Sequence, residues 1–391
     1  MNKKALYLLA FAHLCNDLGP GALPAALPFL AAAYDFAYTD VAGLMFASSF
    51  LSSFIQPIFG YIADRTEKGF LIGGGVMVSL AAFSLLGQLS DYSLLFAAIT
   101  AMGIGSAAFH PEAVRLVNVL SASHPGTGVS IFSVGGNAGF GIGPLLAVFF
   151  ISLWGLSGLK FFGLFGLILG ACLLLIVPKL KKSAQKILVK KQEAAGKRGA
   201  LTNDWPSFWR LTAVIMLRSV VLCGLSGFLP LFCIRELGAT TAAGSSTLSA
   251  FAVIGIFTTL VGGRLADKIG YARVLRYGCL ALVPILVAIV WGHELLLVYT
   301  LLLPLSCAVH GVYSSFVVLG QSYLAKSIGF ASGITMGLAF SVGGIVLPAI
   351  GWFADQYSLM NAMKLMVLIA AACAAASLLL REPANPDSPA K

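Results

Sequence analysis

Two acidic side chains lie inside long apolar stretches of the sequence, where an ionised group is costly. Of the 15 aspartates and glutamates, we place Asp17 and Glu112 within such stretches. An acid at the centre of a membrane-spanning helix costs about 2.5 to 3.5 kcal/mol on insertion scales, so residues of this kind usually line a cavity. Both acids are therefore candidate functional residues, although such an acid can also serve only to hold one helix against its neighbour.

Asp17 has polar neighbours at helical spacing. It lies roughly 20 Å along a helix that rises 1.5 Å per residue, and therefore near the middle of a membrane. His13, four residues earlier, shares its face of the helix, and Asn16 directly precedes it. Arg218 lies at a similar depth in a later stretch. A base and an acid that face one cavity lower each other's cost, so we expect Asp17 and Arg218 to pair at a proton or substrate site, with a purely structural role as the alternative for each.

Two further histidines could carry protons. His110 and His310 occupy corresponding apolar stretches in the first and second parts of the chain. Imidazole is the side chain whose charge changes near neutral pH, so either residue could shuttle a proton. The alternative is that each is only a hydrogen-bonded core residue, as a single histidine in a helix bundle often is.

Charged residues near the ends of apolar stretches are more typical of gates than of ligands. Glu112 and Arg115 are three residues apart, which is the spacing of an intrahelical ion pair, and we expect them to form a latch at the cytoplasmic end of their helix. Four more charged residues lie at the ends of two other helices: Asp64, Arg65, Asp267 and Lys268. We expect them to form ion pairs between the two halves that break during a conformational change. None of these four is expected to bind a small molecule.

The elements that must position these residues are apolar helices. The chain has 391 residues, of which 59% are hydrophobic and 10% are charged, whereas soluble domains carry about 25% charged residues. A spanning helix needs about 20 mostly apolar residues. The sequence therefore predicts an all-α membrane protein with twelve transmembrane helices, near 5–31, 40–63, 70–89, 92–118, 125–151, 158–178, 207–234, 241–266, 272–290, 295–323, 328–353 and 359–380.

The basic residues predict the orientation and the domain boundaries. With the N-terminus inside the cell, all but four of the 25 Lys and Arg residues fall on the cytoplasmic side, as is typical of inner-membrane proteins. Both termini are therefore expected in the cytoplasm. A lysine-rich segment divides the chain into an N-terminal six-helix bundle over 1–180, a cytoplasmic linker over 181–206, and a C-terminal six-helix bundle with a short tail over 207–391.

The two predicted bundles repeat each other and are expected to be pseudo-symmetric. The pattern G-x-x-x-D followed by a base closes the second helix at 60–65 and the eighth at 263–268, and Phe-Ser-Val-Gly-Gly occurs at 132–136 and 340–344. Duplicated halves are typical of secondary transporters, which bind substrate near the membrane midplane between the repeats. Glycines recur every four residues in the fifth helix, a spacing that lets helix backbones pack closely: Gly135, Gly139 and Gly143.

These motifs resemble those of the major facilitator superfamily, in which the loop after the second helix carries the same G-x-x-x-D-[RK] pattern. Over nearly its whole length the chain further resembles the fosmidomycin-resistance branch of exporters. One difference is that 94–108 contains no basic residue, where twelve-helix drug antiporters usually carry an arginine. The resemblance implies a two-bundle transporter fold, and Asn137 joins the candidate residues of the proton or substrate site. The residues that carry the resemblance are His13, Asn16, Asp17, Gln56, Pro57, Gly60, Phe109, His110, Pro111, Glu112, Asn137, Gly139 and Pro144.

The leading hypothesis is a secondary active transporter that exports a small organic solute by alternating access, in exchange for protons carried mainly by Asp17. The alternative is a proton-coupled uptake symporter in which Arg218 holds a small anionic solute. More distant are an intramembrane enzyme, with His110 and Glu112 as acid and base, and a channel. No nucleophile motif accompanies those two residues, and repeated halves favour alternating access over a fixed pore, so we expect neither an enzyme nor a channel.

Other ligand classes are not expected. The seven cysteines are scattered singly through apolar segments, which argues against disulfides and a zinc site. A net charge of +10 would suit a nucleic-acid-binding protein, but the basic residues fall in short gaps between apolar stretches without an aromatic-basic stripe. We therefore expect no metal, no cofactor beyond the proton gradient and no nucleic acid, and a monomer whose partners are the solute, protons and the lipid bilayer.

Overall fold

The computed structural model describes residues 1–36, 38–66, 69–196 and 202–383, and within them the chain is helical and has no strand. A 3₁₀ turn at Gly155–Leu159 joins the fifth helix to the sixth. The thirteen α-helices of the described residues are α1 Lys3–Tyr34, α2 Tyr38–Arg65, α3 Phe70–Leu85, α4 Tyr92–Leu120, α5 Pro125–Trp154, α6 Lys160–Gly196, α7 Trp205–Arg235, α8 Thr241–Ile269, α9 Tyr271–Trp291, α10 Leu295–Val309, α11 Tyr313–Tyr323, α12 Ile328–Tyr357 and α13 Leu359–Ser377.

Thirteen helices form twelve membrane-spanning segments because α10 and α11 are two parts of one span, Leu295–Tyr323. By length and composition, eight segments of the described chain could cross a membrane, and one of them, Pro125–Val189, contains both α5 and α6. The helix α3 is apolar but shorter, and α1 and α2 complete the twelve. The helices therefore agree with the predicted all-α membrane fold.

Two differences from the predicted helices bear on function. The helix α6 continues to Gly196 instead of ending near 178, so much of the predicted linker is helical; residues 197–201 of that linker lie outside the described residues. One face of this extension is buried. It carries Val177, Lys181 and Ala184, which share that face because they recur at helical spacing. The second difference is the break between α10 and α11, within the predicted helix 295–323.

Helix contacts divide the chain into two compact units. The first unit comprises Met1–Ser123, Ile131–Leu201 and Ser327–Gly337, and the second comprises His124–Ser130, Thr202–Lys326 and Leu338–Lys391. The start of α5 is thus grouped with the second unit and the start of α12 with the first, which the predicted halves 1–180 and 207–391 did not anticipate. In the first unit α3 packs against α4 and α6; in the second, α13 packs against α7 and α9.

Glycines bring α1 and α5 of the first unit close together. A Cβ atom at Gly135 would collide with the carbonyl oxygen of Ala10, and one at Gly143 with the carbonyl oxygen of Leu18. Without side chains at these positions the two backbones can touch. The predicted role of these glycines in helix packing is therefore confirmed, and the close contact positions the side chains described next.

Candidate functional site

Three titratable side chains meet in the interior of the first unit. Asp17 on α1 lies between two histidines: its Oδ2 is 3.1 Å from Nε2 of His13 on the same helix, and its Oδ1 is 3.3 Å from Nε2 of His110 on α4. The two Nε2 atoms are 3.2 Å apart. The side chain of Asp17 is only 4% exposed and that of His110 is 14% exposed. We call these three residues the His–Asp–His cluster.

Both imidazole rings of the cluster are held by backbone carbonyl groups on the side away from Asp17. Nδ1 of His13 lies 2.7 Å from the carbonyl oxygen of Phe132 on α5, and Nδ1 of His110 lies 2.8 Å from that of Ser106 on α4. A carbonyl oxygen only accepts hydrogen bonds, so each Nδ1 carries the hydrogen and donates it. In its neutral form, each ring therefore turns the lone pair of Nε2 toward the carboxylate.

The cluster consequently needs a bound cation. Two Nε2 lone pairs and a carboxylate are all acceptors, and at separations of 3.1 to 3.3 Å they repel one another unless a proton lies between them. With one such proton the cluster is neutral, and with none or two it carries a net charge that burial disfavours. The same three residues offer ligand atoms within 4.8 Å of one another, and imidazole with carboxylate is a donor set that zinc accepts. The predicted absence of a metal therefore stays a prediction.

Neighbouring residues fix the carboxylate and leave room for the rings. Nδ2 of Asn16 donates to Oδ1 of Asp17 at 2.8 Å and to Oγ of Ser106 at 3.0 Å. A Cβ atom at Gly136 on α5 would lie 2.5 Å from Nε2 of His13 and 2.9 Å from Oδ2 of Asp17. The glycine therefore leaves the space that the His–Asp–His cluster occupies.

In the second unit, Arg218 on α7 lies against the break between α10 and α11. Its Nε donates to the carbonyl oxygen of Val309 at 3.1 Å, and its Nη2 donates to the same oxygen. The guanidinium carbon is 5.1 Å from the centre of the Phe316 ring, and the residue is 3% exposed. His310 lies in the break itself, with Nδ1 at 3.1 Å from Oγ of Ser306.

The partners of Asp17 and Arg218 correct the pairing expected from the sequence. Asp17 takes two histidines of its own unit as partners, and Arg218 takes a backbone carbonyl and an aromatic ring of its own unit, because α4 and the helix break already supply those groups. His13, Asn16 and His110 do surround Asp17. Asn137, in contrast, is exposed on α5, and within the described part of the chain no hydrogen bond joins it to the cluster.

Glu112 and Arg115 pair with other helices instead of with each other. Oε1 of Glu112 accepts a hydrogen bond from Nζ of Lys181 on α6 at 2.6 Å, and Nε of Arg115 lies 3.0 Å from Oδ1 of Asp64 on α2. The side chains of Glu112 and Lys181 are 1% and 8% exposed. Two charges buried this deeply each need an opposite charge, and that requirement outweighs a pair along one helix surface. The intrahelical pair predicted from the sequence is therefore wrong, whereas a latch role for these two residues stays a prediction.

The aspartates of the repeated motif bind helix N-termini. Asp64 accepts hydrogen bonds from two backbone N–H groups at the start of α12, at 2.8 and 3.1 Å, and Asp267 accepts from two at the start of α5, both at 2.8 Å. Helix N-termini carry a partial positive charge, so they and not the predicted ion pairs between the halves hold these carboxylates. Arg65 lies over the ring of Tyr61, 4.1 Å from its centre, and Lys268 is exposed.

Four residues that shape these sites were not predicted as site residues. Ser106 could have been found from its position four residues before His110, on the same face of α4. Gly136 belongs to a repeated Gly-Gly doublet beside Asn137. Phe132 contributes its backbone carbonyl group, which no residue type in the sequence indicates. Lys181 lies in a segment whose polar composition resembled a linker.

Comparison with protein families matches residues 9–348 to the Major Facilitator Superfamily. The chain belongs to this family. It is 25% identical over 372 residues to the fosmidomycin resistance protein of Escherichia coli (strain K12), covering 92% of this chain and 89% of that protein. It is 26% identical over 362 residues to the uncharacterized MFS-type transporter YfnC of Bacillus subtilis (strain 168), covering 92% and 88%.

Solved structures of the superfamily share the fold. The transporter FucP, crystallised in an outward conformation, superposes with a TM-score of 0.73 at 15% identity, covering 96% of this chain and 98% of FucP. The human organic anion transporter MFSD10 superposes with a TM-score of 0.69 at 17% identity, covering 96% and 100%. The chain is therefore a multi-pass membrane transporter of the major facilitator fold with twelve transmembrane helices, and it is not an enzyme, as the sequence predicted.

Proposed function

We propose that this transporter exports a small organic solute in exchange for protons, and that the His–Asp–His cluster is its proton site. One observation carries the proposal: both Nδ1 atoms donate to backbone carbonyls, so both Nε2 atoms and the carboxylate of Asp17 converge as acceptors. A site of this kind is more stable with one shared proton than with none, because the three acceptors repel one another when the proton is absent. It also distributes the proton over three groups, where the sequence alone suggested Asp17 paired with an arginine.

Protonation of the cluster would couple to movement through the helices that carry it. Asp17 and His13 belong to α1, and His110 belongs to α4. When the bridging proton leaves, the remaining acceptors repel one another across the two helices, and when it returns they attract. In a membrane at about 100 mV, each proton moving inward supplies roughly 2.3 kcal/mol, enough to concentrate a solute several tens of times.

The direction of transport rests on similarity to a protein named for fosmidomycin resistance. The relative named for fosmidomycin resistance supports efflux of an antimetabolite, at low identity. An inner-membrane location with both termini in the cytoplasm, and a monomeric state, belong to the same proposal. Uptake by symport remains the competing function, and a growth experiment separates the two.

Growth in the presence of antimetabolites tests the direction. A sensitive strain that expresses the protein is grown against a panel that includes fosmidomycin, beside the same strain expressing Asp17→Asn. Export predicts a higher inhibitory concentration for at least one compound with the wild-type protein alone. A lower inhibitory concentration would instead mean uptake and would contradict the proposed direction.

Reconstituted vesicles test the coupling. With an imposed pH gradient, fosmidomycin or another compound from the growth panel should move against the proton flow and reverse when the gradient is reversed. Asp17→Asn should keep solute exchange between equal concentrations and lose the dependence on pH. His293→Asn changes an exposed histidine outside the cluster and should behave like the wild type. Repeating the assay with a metal chelator separates proton coupling from metal binding.

If Asp17→Asn still accumulates solute when driven by protons, the cluster is not the coupling site. Each histidine is tested in the same assay with His13→Gln and His110→Gln. Because the bridging proton is shared by both rings, each variant should shift the pH at which transport is half-maximal. A variant that changes only the maximal rate would contradict a shared site.

A further inference from the structure

The span formed by α10 and α11 is discontinuous at the height of a buried arginine. The helix α10 ends at Val309 and α11 begins at Tyr313, so the carbonyl group of Val309 is released from the regular helical pattern. Nε and Nη2 of Arg218 occupy that carbonyl oxygen. Discontinuous helices in transporters place backbone groups with unused polarity beside substrates and coupling ions.

The guanidinium group of Arg218 is only partly satisfied. Its Nη1 is buried and has no hydrogen-bond partner among the described residues, and the side chain lies over the ring of Phe316. The C-terminal end of α10 offers about half a negative charge, which does not balance a full positive charge in a buried position. A buried charge without an opposite charge is among the most costly arrangements in a folded protein.

The first turn of α11 adds further unused donors beside the same break. The hydroxyl oxygens of Ser314 and Ser315 are fully buried, and neither has a hydrogen-bond partner in the described part of the chain. The backbone N–H groups of Tyr313, Ser315 and Phe316 already donate to carbonyl groups of the break, so the helix start adds only its partial positive charge. An unpaired guanidinium nitrogen, two unpaired hydroxyls and a helix N-terminus thus occur at one interruption of one span.

We propose that this break, formed by Arg218, Ser314, Ser315 and the N-terminus of α11, binds the anionic group of a small organic anion. A carboxylate or phosphate oxygen would accept from Nη1 of Arg218 and supply the missing opposite charge. That this anion is the transported solute rests on the proposed function. Anion binding itself does not depend on proton coupling or on the direction of transport.

Thermal unfolding of the purified protein in detergent tests the site without a gradient. The midpoint is followed at constant ionic strength with rising acetate or inorganic phosphate, and with acetamide as a neutral molecule of the same shape as acetate. A ligand that binds only the folded state raises the midpoint with concentration. The anions should therefore raise it and acetamide should not.

Arginine variants locate the effect. Because a hydrogen bond to a charged group contributes enough to change affinity by about tenfold or more, Arg218→Gln should weaken the acetate response at least that much. Arg218→Lys keeps the charge but loses the planar donor set, so its acetate response should lie between those of the wild type and Arg218→Gln. Arg210→Gln removes an exposed arginine two turns earlier on the same helix and should respond like the wild type.

Equal responses to acetate and acetamide, or a full acetate response in Arg218→Gln, would overturn the site. Where Arg218→Gln does not fold, the double variant Ser314→Ala with Ser315→Ala decides, since it should weaken acetate binding several-fold and an unchanged response refutes the proposal. Anion binding without proton-driven transport would support the anion site and contradict the proposed function. Proton-driven transport without anion binding would do the reverse.

Discussion

The two units hold several of their charged side chains in different ways. In the first unit charged side chains pair with other side chains, as Asp17 does with two histidines and Glu112 with Lys181. For two charges of the second unit the corresponding role falls to the backbone: the buried Arg218 donates to a carbonyl group at a helix break, and the exposed Glu382 accepts from two N–H groups at the start of α9. The difference lies within one duplicated fold, so helix arrangement alone does not cause it.

Side-chain partners can change their charge, whereas backbone partners cannot. A proton that leaves the His–Asp–His cluster changes the attraction between α1 and α4, but no change of pH alters the carbonyl of Val309. The repeat partners α1 and α7 therefore carry opposite features, an acid in a titratable environment and a base in a fixed one. We connect the first with coupling to protons and the second with recognition of an anion.

The largest expected effect comes from removing the same charge in each unit. Glu112→Gln leaves the buried ammonium of Lys181 facing a neutral amide, and breaking a buried pair in this way costs about 3 to 5 kcal/mol. Glu382→Gln changes an exposed residue held by backbone groups, and its cost should stay within about 1 kcal/mol. Denaturant unfolding of the two purified variants measures the difference.

A double variant shows whether that loss belongs to the Glu112–Lys181 pair. Adding Lys181→Met to Glu112→Gln removes the unpaired charge and keeps an apolar side chain of similar length, so most of the lost stability should return. Strictly additive losses would mean that the two residues do not interact. Equal losses in Glu112→Gln and Glu382→Gln would remove the contrast between the units.

A smaller effect is expected at two glycines of the repeated Phe-Ser-Val-Gly-Gly segment. Gly136→Ala pushes a methyl group against His13 and Asp17, and crowding of this kind costs about 1 to 3 kcal/mol. Gly344, its counterpart on α12, has open space at the same position, so Gly344→Ala should be neutral or stabilising by up to about 1 kcal/mol.

Transport and unfolding are measured together for both glycine variants. Gly136→Ala should also shift the pH dependence of transport, because the crowded atoms belong to the His–Asp–His cluster, whereas Gly344→Ala should keep the wild-type profile. A Gly136→Ala protein with unchanged stability and pH profile would show that the cluster does not need this close approach of α1 and α5.

The sequence predicts the helices far better than the contacts between side chains. Apolar stretches of about 20 residues mark the spans directly, and His13 and Asp17 meet because they are four residues apart on one helix. The partner of Asp17 on α4 and the partner of Glu112 on α6 depend on how helices pack, which local spacing does not encode. Arg218 was correctly predicted to be a buried base, but its partner is a backbone carbonyl group, and the residue types in a sequence do not indicate such a partner.

The starts of α1 and α7 differ in the opposite sense at the protein surface, because the titratable cap belongs to the second unit. Asp204 is the N-cap of α7, and its Oδ1 accepts from the backbone N–H of Ser207 at 3.1 Å. The hydrogen bonds from the side chain and backbone of Ser207, together with nearby arginines, hold the pKa of Asp204 below its usual value against the opposing effect of burial. The repeat partner α1 is capped by Asn2, whose Oδ1 accepts from the N–H of Ala5 at 3.2 Å and does not titrate.

The smallest predicted effect is therefore a pH dependence at the cap of α7. A carboxyl whose pKa is lowered by folding contributes stability above its unfolded pKa of about 3.9, and this contribution disappears as the pH falls through the folded pKa. Asp204 is exposed and solvent screens its charge, so we expect about 0.5 kcal/mol or less. Asp204→Asn keeps a good N-cap without the charge. Its unfolding midpoint should match the wild type at about pH 3 and lie slightly below it at about pH 6. Asn2→Ala at the start of α1 should lower the midpoint equally at both pH values, because no titratable group is lost. If Asp204→Asn kept the full acid dependence of the wild type, the charge at this cap would contribute nothing to the difference between the units.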